Sequence, residues 1–74
     1  MNLFTIEEQH LICIFDTFTR AHLLTDMRIC LPYIENNELK SIMLDVIKKI
    51  EMIDDGIFDV LPLDFANYYN KEME

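Results

Sequence analysis

The sequence predicts an all-α fold, a small three-helix bundle with a short fourth helix and a C-terminal helical turn or tail. Three observations carry this. The chain has one glycine and two prolines in 74 residues, too few for a loop-rich scaffold or a many-turned β-barrel. Apolar residues recur at steps of three and four, and no two-residue alternation of the strand type survives a count. Helix-capping residues stand ahead of each periodic run. A chain of this length forms one domain, residues 1–74, and 51% hydrophobic residues are enough to give it a core.

The first helix opens on Thr5-Ile6-Glu7-Glu8, which fits a capping box. Leu11, Ile14, Phe15 and Phe18 follow at helical spacing, with Ile12 and Cys13 widening the stripe. The period breaks at Asp16-Thr17-Phe18-Thr19-Arg20, which reads as a corner where Thr17 or Thr19 caps the next helix. The simplest role for that corner is structural, with Arg20 pairing with Asp16 or covering the last carbonyls of the first helix. The same four polar residues, Asp16, Thr17, Thr19 and Arg20, are also a candidate recognition cluster.

The second helix is expected from about Arg20 to Leu31, with Leu23, Leu24, Met27, Leu31 and Ile34 facing inward and Pro32 ending it. Glu35-Asn36-Asn37 is the linker, and either asparagine can cap the third helix. There Leu39, Met43, Val46, Ile50 and Ile53 recur at steps of 4, 3, 4 and 3, while Asp45 is placed to pair with Lys48 or Lys49 on the surface. Asp54 caps a short fourth helix ending near Leu61 and Pro62, and Asp64 caps a last turn over Phe65 to Tyr69. The expected core is Leu11, Ile14, Phe15, Leu24, Met27, Leu31, Leu39, Met43, Val46 and Ile50.

Charge narrows the function. Fourteen acidic and six basic residues give a net −8, a poor footprint for binding a phosphate backbone. The charge is uneven: residues 1–19 sum to −3, residues 20–50 to +1, and residues 51–74 to −6. Residues 54–74 therefore form an acidic C-terminal appendage. Within it Asp54, Asp55, Asp59 and Asp64, with Phe65, Tyr68 and Tyr69, are the candidate protein-interaction residues, because aromatics ringed by charge suit an interface. A solvated face that keeps the protein soluble is the plainer reading of the same acids.

Catalytic and metal chemistry find little support. His10 and His22 fall well apart along an antiparallel pair of helices, and His22 with Asp26 supplies at most two ligands. Cys13 and Cys30 come out about 9 Å apart along the axis, too far for a disulfide, so buried reduced thiols are expected. Asp54-Asp55-Gly56 is not a calcium loop, since that register puts Ile53 and Pro62 at ligand positions. A helix-turn-helix reading of the corner fails on charge. Glu7 and Glu8 occupy the place of a signal peptide's basic start. The longest apolar run, Leu11 to Phe15, is far too short to span a bilayer. The expectation is a cytoplasmic protein with no cofactor, no metal and no membrane or direct nucleic-acid binding, existing as a monomer or weak homodimer.

The sequence resembles the putative transposon-transfer assisting protein family, small proteins encoded on bacterial conjugative transposons. Phe4 to Glu8, Leu11 to Thr17, and Thr19-Arg20 with Leu23 and Leu24 carry the resemblance. Glu38-Leu39, Lys49-Ile50, Met52 and Asp54 to Phe58 extend it to roughly residues 3–61. Two positions depart from the pattern. Phe18 stands at a corner where a small residue is expected, and Gly56 where the family commonly has an acidic helix former. The resemblance implies no catalytic residue, cofactor or substrate. It implies an accessory binding role in transfer; taken with the acidic appendage, the expectation is an adaptor that docks a basic protein, encoded by the element or the host, through acidic surface. The alternative is an acidic inhibitor or DNA mimic that occupies a nucleic-acid-binding protein.

Overall fold

The chain folds around its third helix. The computed structural model describes residues 3–61, and within them four α-helices and no strand are found. They are α1 (Ile6–Ile12), α2 (Arg20–Cys30), α3 (Asn37–Met52) and α4 (Asp55–Val60). Both α1 and α2 make their main contacts with α3 rather than with each other, and α4 packs on α2. The expected antiparallel pairing of the first two helices about the corner is therefore replaced by two separate dockings onto α3. The helical turn expected after Asp64 lies outside the described residues.

The start of α1 follows the sequence. Thr5 Oγ1 accepts from the Glu8 amide at 3.2 Å, and Glu8 Oε1 accepts from the Thr5 amide at 2.8 Å. Gln9 Nε2 donates to the Phe4 carbonyl at 3.1 Å, a polar counterpart of the apolar staple that fixes the entry angle of many helices. The end of α1 departs from expectation. Beyond Ile12 the backbone tightens: the Ile14 amide donates to Leu11 O at 3.3 Å and that of Phe15 to Ile12 O at 3.0 Å. Three-residue closures advance the chain faster around the axis than an α-turn does. Ile14 is thereby swung out to 75% exposure and Phe15 is left half-buried, while Leu11 and Ile12 carry the α1 share of the core.

The other helix starts are capped as their sequences dictate. Thr19 Oγ1 accepts from the His22 amide, Asn36 Oδ1 from that of Leu39, and Asp54 Oδ1 from that of Ile57. Pro32 has no amide to continue the ladder of α2, and the chain leaves through a 3-10 turn at Leu31–Tyr33. Along α3, Met43, Val46, Ile47 and Ile50 are buried. Leu39, in the first turn, lies exposed at the rim instead of in the core, and Leu31 is only half-buried. Two aromatics that the periodicity did not place inside are buried: Phe4, just ahead of α1, and Phe58, which seats α4 in the core cluster.

One carboxylate is also inside. Glu8 lies on the buried face of α1, and Lys49 Nζ meets its Oε1 at 2.6 Å while donating to Leu3 O at 3.2 Å. The ammonium also stands 5.8 Å from the Phe4 ring centroid. Desolvation makes an unpaired carboxylate costly there, and this draws Lys49 to Glu8 rather than to the neighbouring Asp45.

This packing ranks substitutions differently from the periodicity. Phe58→Ala is expected to cost about 3–5 kcal/mol, most of the stability of a domain this size. Ile14→Ala should stay within about 0.5 kcal/mol. Urea unfolding of the two variants beside the parent checks both; equal midpoints would refute the placement of Phe58.

Candidate functional site

At the corner, Asp16, Thr19 and Arg20 each have their own task. Asp16 Oδ1 accepts from the Phe18 amide at 3.1 Å, a local side-chain turn that reverses the chain after α1. Thr17 is half-buried, and Thr19 is the N-cap of α2. Asp16, Phe18, Thr19 and His22 line a shallow open cleft of about 220 Å³. Arg20 turns away from it. Its Nε donates to Ile50 O at 3.0 Å and its Nη2 to Glu51 O at 3.2 Å, while Nη1 stands 3.5 Å from Asp55 Oδ1. The guanidinium therefore covers the last carbonyls of α3, not those of α1, and its acidic partner is Asp55, not Asp16. A pairing across 35 positions leaves no trace in local spacing.

The acidic residues of α4 are placed in detail. Asp54 is its N-cap, and Asp55 lies in the first turn, where the helix dipole favours an anion. Asp54, Asp55 and Asp59 are all exposed. At 3.6 residues per turn, Asp55 and Asp59 share one edge of α4, Ile57 and Val60 share the other, and Gly56 lies between them opposite buried Phe58. Ile57, Val60 and nearby Met52 are exposed. The sequence reading missed this apolar edge; the signal was available, because a six-residue helix with three apolar residues can bury only one side. Asp64, Phe65, Tyr68 and Tyr69 lie outside the described residues.

Among the described residues no group of three or more His, Cys, Asp or Glu side chains is arranged to hold a metal ion. His22 Nε2 and Asp26 Oδ2 approach to 3.1 Å as an exposed pair one turn apart. Cys13 and Cys30 are half-buried rather than buried, and no disulfide joins them. No described helix is long and apolar enough to cross a membrane.

A family model described as putative transposon-transfer assisting protein matches residues 4–64, which spans α1 to α4 and both candidate clusters up to Asp64. Comparison with curated proteins and with solved structures finds no match.

Double-mutant cycles on stability should separate the two carboxylates near Arg20. Coupling between Arg20 and Asp16 is expected near zero, and that between Arg20 and Asp55 about 0.2–1 kcal/mol, since Asp55 is largely solvated. The reverse order would overturn the assignment. A Cβ added at Gly56 would meet Asp54 Oδ1 at 3.4 Å, an ordinary contact, and the glycine has no positive φ. Gly56→Ala is therefore expected to raise stability by up to about 1 kcal/mol in the same unfolding assay.

Proposed function

The chain belongs to the putative transposon-transfer assisting protein family, and within it we propose a non-enzymatic accessory role: an adaptor that docks a basic, element-encoded protein through the outer face of α4. The observation that carries this reading is the composition of that face. An acidic edge, Asp55 and Asp59, and an apolar edge, Ile57 and Val60, flank Gly56, while Phe58 holds the helix to the body. Apolar area supplies the anchor of such an interface, and the surrounding carboxylates steer a cationic partner into register. The −6 charge of residues 51–74 adds a longer-range attraction. The role needs no cofactor or metal and suits a cytoplasmic protein.

The same face argues against a DNA mimic. A six-residue helix is about 9 Å long, and duplex DNA would offer several charges over that distance in an unbroken row. On α4 the carboxylates are few and interrupted by apolar side chains.

The test is kinetic. The partner is recovered from cells carrying the element, and its association with the intact chain is followed at low and high salt. Association should slow as salt screens the encounter. Asp55→Asn with Asp59→Asn should slow it further, with the fold intact because both residues are exposed. Ile57→Ala or Val60→Ala should instead speed dissociation. Binding that ignores salt and survives the acidic substitutions would refute docking through α4. Tight binding of nonspecific duplex DNA would refute the adaptor role altogether.

A further inference from the structure

Gly56 has no task within the fold. Its φ is negative, so the backbone does not require a residue without a Cβ. Apart from its own helix backbone and chain neighbours, a Cβ built there would meet only Asp54 Oδ1, at 3.4 Å, among the described residues. The position is helical, and glycine supports a helix worse than any residue except proline. Local stability therefore favours another residue at this place, and the body of the protein leaves room for one.

What the glycine does is leave a gap in the outer face of α4. Successive residues turn by about 100°, so with Phe58 in the core Gly56 stands near the middle of the side that faces solvent. Asp55 and Asp59 rise on one flank of the gap, Ile57 and Val60 on the other, and all four are exposed. Bare backbone thus floors a short trough with one acidic wall and one apolar wall.

Charge and shape together name what fits it. A side chain laid across Gly56 meets methyl groups along its length and carboxylates at its tip. Arginine has that pattern, an aliphatic stem carrying a planar cation with five donors. The stem packs on Ile57 and Val60, and the guanidinium reaches Asp55 and Asp59. An anionic group would instead meet the −6 charge of residues 51–74. An extended peptide finds no sheet edge among the described residues, whereas a partner helix can lie close to α4 where a glycine replaces a side chain. We propose that Gly56 is a specificity-determining gap, which seats an arginine projecting from an amphipathic helix of the partner. This rests on the docking of a basic partner to α4, and adds which side chain is read and which residue reads it. Filling the gap then stabilises the fold and weakens binding at once, two effects of opposite sign that a purely structural glycine would not give.

The probe is a synthetic helical peptide of about 15 residues with arginines and leucines along one stripe. It is titrated into the isotope-labelled intact chain and followed by NMR, with urea unfolding of each variant alongside. The largest amide shifts should fall at Gly56, Ile57 and Val60. Gly56→Gln should raise the urea midpoint and weaken peptide binding about fivefold or more; Gly56→Ala should act in the same two directions, weakening binding about twofold. Asp55→Asn with Asp59→Asn should also weaken it. A peptide with citrulline, the neutral isostere, in place of arginine should no longer bind, and a lysine version should bind less tightly. Undiminished binding to Gly56→Gln, with the acidic substitutions still effective, would overturn the gap and leave docking on α4 standing. Shifts centred away from α4, no binding at all, or equal binding of the citrulline or lysine peptide would overturn it too. Docking of the natural partner is decided separately, by the kinetics of the recovered protein.

Discussion

The last turn of α3 is the point at which this fold is closed. Helix ends leave their final carbonyls without partners inside the helix, and those carbonyls form the negative end of its dipole. No glycine cap follows here, since Ile53 leaves the helix in an extended conformation. The carbonyls of Ile50 and Glu51 are supplied instead by Arg20, thirty positions earlier in the chain. The same turn holds Lys49 against Glu8 and Leu3, and its Glu51 pairs with Arg28. Residues 49–51 thus meet the approach to α1, the start of α2 and its later part, and through Arg20 the first turn of α4. Burial of Met43, Val46, Ile47 and Ile50 supplies the driving force; these polar ties decide which arrangement that burial adopts.

That junction determines what α4 can present. The helix is too short to be stable alone. Phe58 in the core keeps it folded and oriented, and the exposed Arg20–Asp55 contact adds only a weak tie. Its surface is therefore a fixed face of the globule rather than an acidic attachment.

Local chemistry made much of this readable from the residues. The box at Thr5 and Glu8, the cap at Asp54, the break at Pro32 and the core line of α3 from Met43 to Ile50 all act within a few positions, so spacing exposes them, whereas for α2 and α3 it left two candidate caps each, of which Thr19 and Asn36 serve. What spacing could not expose was decided at long range or by competition between turn types. Arg20 and Lys49 have local acidic neighbours and use distant ones. Ile14 keeps a helical period in the sequence but loses it where three-residue closures replace the α-ladder. Phe4 and Phe58 belong to no long periodic run, and burial found them all the same. At the candidate site the acids were legible, whereas the apolar edge of Ile57 and Val60 emerged only when Phe58 was seen to take the inner side.

The side-chain caps have a further consequence, for how quickly the native state is reached. Each capping oxygen lies three positions from the amide it accepts, so all four helix starts can form before any distant part of the chain arrives. Topologies dominated by such short-range closures fold on microsecond to millisecond timescales. For a chain half apolar by composition, that speed shortens the interval in which its isoleucines, leucines and phenylalanines are open to aggregation or proteolysis. Small size leaves little equilibrium stability in reserve. Rapid refolding then becomes the means by which the protein survives each excursion out of its native state.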